Sequence, residues 1–395
     1  MPILHLKANR KTRNYQNANM KFGFKLWRQL QQQKGIQNRF ISPTSVTVAL
    51  SLLLQGADGT TQQEMLEALE LQGMSLDDIN RANRALYRGL GEAGEGVKVA
   101  IANSLWAREG ISFKPEFLQA NQQYYNAEVE ALDFKSPETS MRINTWVSKN
   151  TEGKIAKIID RVRPNDILLL INAIYFKGNW TRQFAPEDTR TKPFFLDRSA
   201  NNTEQNSPAE STVSVEMMFQ RGKYRYLENE QFQGIRLPYG EEGHLSLYIF
   251  LPRPGSNLQE FSQQLTAENW QLWMQQFSAR KGTIELPRFK MESEMYLSEA
   301  LQALGIKTVF NLQAANFSKM TDEPVVVNEV KHKTFVEANE KGTEAAAVTS
   351  FTVAGRLMSD PPPPPFIMRV ERPFFFAIRD DRTGMVLFMG SVVKP

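Results

Sequence analysis

Acid–base and nucleophilic chemistry near neutral pH most often recruits histidine, and this chain has three: His5, His244 and His332. A serine triad would have to use one of them. His5 lies near the start of the chain, His244 in the turn-like EEGH, and His332 within a strand-like run where it reads as a core side chain. There is no cysteine, which removes disulfides, thiolate metal sites and cysteine nucleophiles. Neither H-E-x-x-H nor a phosphate loop occurs. GLGEAG (89–94) has the G-x-G-x-x-G spacing, but it follows a helical stretch and precedes a strand, the reverse of a dinucleotide site. The paired acids Glu241-Glu242 and Asp380-Asp381 fall in turn-like sequence and are expected to be solvated. The residues that could do chemistry therefore argue against an enzyme, and neither a metal nor a cofactor is expected.

With 395 residues, 41% of them hydrophobic, the chain can bury a large core. Lys plus Arg 47 against Asp plus Glu 43 gives a net +4, too small an excess to imply nucleic acid. The N-terminal MPILHLKANRKTRN lacks the apolar run of a signal peptide, so the chain as it stands reads as cytoplasmic, or as secreted if its start was trimmed. The longest apolar run, ILLLINAIYF, is too short to span a membrane and holds an asparagine.

The first third is predicted to be mostly helical. NMKFGFKLWRQL places Phe22, Leu26, Trp27 and Leu30 on one face. Thr61 and Glu64 have the spacing of a capping box before Met65. Residues 77–90 read as a helix with Ile79, Leu86 and Leu90 inward and Arg81, Arg84 and Arg88 along one side. VKVAIANSLWA alternates like a strand, PEFLQANQQYY and SMRINTWVSKN read as helices, and ILLLINAIYF as a buried strand. From Tyr224 onward strands dominate, including VVVNEVKHKTFVEA and FIMRVERPFFFAIRD, each read as one strand. Two loop-like segments (197–211 and 355–365) are each followed by more strand, so a single mixed domain over 1–395 is expected.

One stretch fits neither a plain loop nor a plain strand. In EKGTEAAAVTSF (340–351) alternate residues Thr343, Ala345, Ala347, Thr349 and Phe351 form a small or apolar face, which suits a half-buried strand. No proline occurs between Glu340 and Gly355, yet Pro361 to Pro365 follow as an unbroken run.

NEKGTEAAAVTSF resembles the hinge of the serpins, a family of protease inhibitors, and the resemblance covers nearly the whole chain. FISPTSVTVALSLLLQGADGTT (40–61), LLLINAIYFKGNW (168–180), LGI at Leu304, ANFSKM at Ala315, VNEVKHKTFVEANEKGTEAA at Val327, RPFFFAIRD at Arg372 and LFMGSVV at Leu387 match in order. The resemblance implies an α+β fold with a large central mixed sheet, two further sheets, about nine helices and an exposed reactive loop, here 340–365. Glu340, Lys341, Gly342, Thr343, Glu344, Ala345, Ala346 and Ala347 would form the hinge. After cleavage the loop would enter the central sheet as an extra strand, gaining on the order of ten ladder hydrogen bonds at roughly 1 kcal/mol each.

Counting sixteen positions on from Glu340, as the family pattern does, gives Arg356 as the bait residue, followed by Leu357. Arginine suits a trypsin-like serine protease, which would be held as a covalent acyl complex by a monomeric inhibitor. The longer segment after the cut leaves Leu357 or Met358 as alternatives, suited to chymotrypsin- or elastase-like enzymes. Ser42, Ser45, Asn172 and His332 match the polar cluster under the sheet opening. Gly178 and Trp180 match the top of the sheet, with Arg288 as the ion partner of Glu340. Arg81, Arg84 and Arg88 match a helix that binds sulfated polyanions in some members, although a solvated face is the stronger reading for so few arginines. A non-inhibitory role (chaperone, carrier or storage) is the competing reading, disfavoured by the small hinge residues.

Overall fold

The computed structural model describes residues 10–32, 37–196, 212–343 and 364–395, with only the backbone of Thr343. Nine α-helices and fifteen strands lie among them. Helix α1 (Arg10–Gln31) buries Phe22, Leu26, Trp27 and Leu30, the face that its periodicity predicts. Helix α2 (Pro43–Leu54) is buried on every side. Pro43 occupies its first turn, where the missing N–H costs nothing, and the Ser42 hydroxyl caps it by accepting from the Ser45 amide.

A six-stranded mixed sheet runs in the order β10 (Phe289–Tyr296), β11 (Val327–Ala338), β4 (Leu168–Asn179), β2 (Val97–Arg108), β3 (Glu128–Leu132), with the short β12 (Gly342–Thr343) also on β4. Both faces of this sheet are covered, so β4 is apolar along nearly its whole length. One face packs on α2 and the main core. The other carries a second core under α6 (Glu138–Asn150), built from Trp106, Ile143, Trp146, Val147, Ile171, Tyr175 and Phe335.

The remaining strands form one nine-stranded network, ordered β1 (Arg39–Ile41), β15 (Val386–Val392), β14 (Phe374–Asp380), β8 (Leu245–Pro252), β7 (Phe232–Tyr239), β6 (Thr212–Glu228), β9 (Ser278–Pro287), β13 (Phe366–Arg369). The long β6 joins its two parts, pairing with β5 (Arg190–Phe195) and β9 along most of its length and with β7 at its end.

Three local expectations are corrected. Helix α3 (Gly59–Ala68) starts after Asp58, so Thr61 lies inside it rather than capping it. The Thr61 hydroxyl instead accepts from the Asn316 amide, and the Glu64 carboxylate takes the amides of Lys307 and Thr308. FIMRVERPFFFAIRD is not one strand: it breaks between Arg369 and Phe374 into β13 and β14, since Pro373 has no N–H to give and the Glu371 carbonyl turns away to the Phe195 amide. Asp380 is buried, and Asp381 gathers Arg236, Ser246, Tyr248 and Arg379, so this pair is structural rather than solvated.

Candidate functional site

The parallel seam between β4 and β11 runs from Leu168 opposite Val327 up to Tyr175 opposite Phe335. Midway, three polar residues sit side by side on neighbouring strands, with Asn172 opposite His332 on β11 and opposite Asn103 on β2. Below them stands the N-terminus of α2. The Ser42 amide donates to His332 Nε2 at 3.0 Å, so that nitrogen carries no proton and Nδ1 is left to donate to Asn172 Oδ1 at 2.5 Å. Asn172 Nδ2 then donates to Ser45 Oγ and to Asn103 Oδ1, both at 2.6 Å. Asn103 Nδ2 passes the chain on to the Tyr87 hydroxyl of α4 (Leu76–Gly91) at 2.7 Å.

One backbone N–H thus fixes the orientation of the whole array. His332 is fully buried, and burial pushes its pKa down to about 3, so the ring is neutral at physiological pH. Asn103 and Tyr87 were missed in the sequence. The signal for Asn103 was available, as the lone asparagine in the middle of the strand-like VKVAIANSLWA. Tyr87 offered none, because a half-buried helical tyrosine has an ordinary packing role.

Above Tyr175, β4 changes partner. Gly342 and Thr343 pair antiparallel with Asn179 and Gly178, so the backbone that leaves β11 turns back and runs beside the upper end of β4. Asn339 and Gly342 exchange backbone hydrogen bonds across this turn, and the Lys341 and Glu340 carbonyls accept from the amides of Trp180 and Phe184. Gly342 sits at φ +137°, where a Cβ would fall 2.2 Å from the Gly178 oxygen and 2.6 Å from the Trp180 nitrogen, so no other residue fits. Gly178 also has no room for a side chain, being closed in by the Phe176 and Tyr239 rings. Trp180 stacks on Tyr239 at 4.4 Å and donates from its indole to the Asn339 carbonyl.

Glu340 is anchored beneath this turn, with its side chain 7% exposed. Arg288 reaches it by Nε at 2.8 and 2.9 Å and by Nη2 at 2.6 Å, a forked contact, while the Thr189 hydroxyl donates at 2.6 Å. Burial alone would raise the Glu340 pKa, but the hydrogen bonds from Arg288 and Thr189 outweigh it and hold the carboxyl below its usual range. Thr189 could not be read from the sequence, because it is brought in from a distant turn.

Lys341 is exposed at the tip of the turn. Arg81 is tied to Asp77 and Asp78 of its own helix, while Arg84 and Arg88 are exposed on α4. The hinge residues Glu344, Ala345, Ala346 and Ala347 and the bait candidates Arg356, Leu357 and Met358 lie outside the described residues. Among the described residues no cluster of His, Asp or Glu could hold a metal, and no helix is long and apolar enough to cross a membrane.

Comparison with known proteins returns the same architecture. The chain is 35% identical to human Serpin B8 over 96% of its length and 98% of that protein, and 33% identical to the leukocyte elastase inhibitor of Equus caballus, over 96% and 98%. Its backbone superimposes on the native state of the thermophilic serpin Tengpin with a TM-score of 0.84, at 29% identity over 96% of this chain and 94% of that one. The family model described as serpin (serine protease inhibitor) matches residues 17–395, and the chain belongs to that family.

Proposed function

We propose that this chain is a suicide-substrate inhibitor of serine proteases, that residues 1–395 act as one monomeric unit without a cofactor, and that Arg356 is the bait. The observation that carries this reading is the change of partner along β4. Its seam with β11 ends at Tyr175, and Gly342–Thr343 already lie antiparallel beside Gly178 and Asn179, in line to continue as a further strand. A protease serine would attack the carbonyl carbon of Arg356, and the Leu357 amine would leave with a proton, giving an ester. The hinge, released at its far end, would extend the short ladder down between β4 and β11. Each step would part the β4–β11 pairs and replace them with pairs to the loop. At the level of His332 it would break the Asn172 contact. Insertion that outruns hydrolysis of the ester would carry the protease away and trap it; slower insertion would yield cleaved inhibitor and free enzyme.

Arginine at the bait favours a trypsin-like enzyme. The likeness to a leukocyte elastase inhibitor favours a second reading, in which Leu357 or Met358 is cut by elastase- or chymotrypsin-like enzymes. The deciding experiment is incubation with trypsin, followed by denaturing electrophoresis and mass spectrometry of the released C-terminal peptide. A stable complex with a peptide starting at Leu357 supports the Arg356 reading. One starting at Met358 or Ser359 moves the bait. Cleavage without a complex, repeated with elastase and chymotrypsin, would refute inhibition.

A further inference from the structure

A proline run has no N–H groups, so any bond that fixes its backbone must come from a donor reaching one of its carbonyls. Such a donor is present where the run 361–365 meets β13. Arg280 on β9 donates from Nε to the Pro364 carbonyl at 3.0 Å. The same guanidinium donates from Nη1 to Glu228 at 2.7 Å and lies 5.5 Å from the Tyr226 ring centroid. Tyr226 stacks flat on Phe366, with ring centroids 3.9 Å apart and planes within 5°. Phe366 can lie there because its partner across the ladder is Gly282, where a Cβ would come 2.3 Å from the Phe366 ring. Gln233 closes the group by donating to the Ile367 carbonyl and the Tyr226 hydroxyl. The chain is therefore clamped over Pro364–Ile367 by a planar stack and one forked cation.

We propose that Arg280 is a positioning residue: by holding the backbone at Pro364 it anchors the C-terminal end of the segment that carries the bait, and presentation of the bait to a protease depends on that anchor. This rests on the inhibitory reading above for what the bait does, but it makes a separate demand. Cleavage after Arg356 disconnects Pro364 from the strand that inserts. The clamp can therefore act on docking and cleavage, and it has no hold on the race between insertion and hydrolysis. A residue whose role was only to stabilise the fold would show no such division.

The test compares Arg280→Gln and Arg280→Lys with the unaltered chain, using trypsin and, for a moved bait, elastase and chymotrypsin. The second-order rate of loop cleavage should fall about tenfold in Arg280→Gln, because a misaligned bait reaches the protease less often. The ratio of covalent complex to cleaved inhibitor should stay the same. Lysine keeps the Glu228 pair and hence the fold, but one ammonium cannot fork between a carboxylate and a carbonyl, so Arg280→Lys should also be slow. Because the chain has no cysteine, a spin label on Asp360→Cys reports the run directly and should become more mobile in both variants. An unchanged cleavage rate with unchanged label mobility, full recovery with lysine, or a changed complex-to-cleaved ratio would each overturn the proposal. Absence of any complex with the unaltered chain would sink the inhibitory reading alone, since the cleavage rates and the label still decide the clamp.

Discussion

Midway along β4 the seam with β11 is closed by buried neutral side chains, whereas at its upper end a carboxylate–guanidinium pair and a two-residue ladder hold the chain. The two regions are fastened by different physics. In the middle, every buried polar atom of the His332–Asn172–Asn103 array has its partner, and parting the strands would leave several unpaired at about 1–3 kcal/mol each. At the top, the Glu340–Arg288 pair lies beside the seam rather than across it, tying the turn to β9's neighbouring segment. In the proposed mechanism the top would thus be a fixed pivot, and the middle a latch that insertion would have to undo. The following predictions try to separate pivot from latch.

The pivot should fail completely when its geometry is blocked. In Gly342→Val the new side chain would collide with the Gly178 carbonyl, at a φ that valine does not adopt. The β12 ladder would be lost, and with it the start of insertion. Covalent complex with protease should fall at least tenfold in favour of cleaved product on denaturing gels. A complex yield like that of the parent chain would show that the pivot is dispensable.

The latch should respond to pH. In the native fold His332 has its pKa near 3 instead of the ordinary 6.5, so between those values the unfolded chain binds more protons than the folded one. Stability therefore rises with pH through this window and is lost as pH falls from about 6.5 towards 3, by a few kcal/mol at most. Glu340 adds a loss of the same sign only at lower pH, once its carboxyl titrates. Unfolding midpoints of His332→Gln measured from pH 7 to pH 5 should be flatter than those of the parent; parallel curves would remove His332 from the latch.

Removing the ion at the pivot should cost less. Glu340→Gln keeps an acceptor for Thr189 but leaves Arg288 without a carboxylate. Because Arg288 is 45% exposed, water recovers part of the loss, and we expect about 1–2 kcal/mol in denaturant unfolding. A larger cost would mean that the pivot carries strain from the seam itself.

How much of this could be read from the sequence follows from how local each feature is. The α1 face and the buried run of β4 were legible because a single periodicity decides them. Gly342, Glu340 and His332 stood out through an ordered series of motifs shared with the serpins. What escaped was set by tertiary partners. Thr61 and Glu64 have the right spacing for a cap, yet the 58–59 turn starts the helix earlier and both side chains serve a distant loop. Asp381 has the sequence of a solvated turn, but three strands deliver Arg236, Ser246, Tyr248 and Arg379 to it. Asn103 belongs to the latch because strand register puts it opposite Asn172, and register is a non-local property.

That register gives an effect no larger than the last one and the sharpest use of the comparison. Asn172 is bonded on both sides, to His332 across the seam that would part and to Asn103 across the β2–β4 ladder, which the proposed insertion would leave closed. Asn103→Ala removes two hydrogen bonds, the one to Asn172 on the closed side and the one to the Tyr87 hydroxyl, and should cost about 1–2 kcal/mol. That cost should appear equally in the intact protein and in the form produced by loop cleavage, because the β2–β4 contact persists in both. His332→Gln should weaken the intact form more than the cleaved one, in which the latch has already been released. Equal shifts for both variants in both forms would mean that the seam does not open at Asn172, and that the side chains in the middle of the sheet are ordinary core.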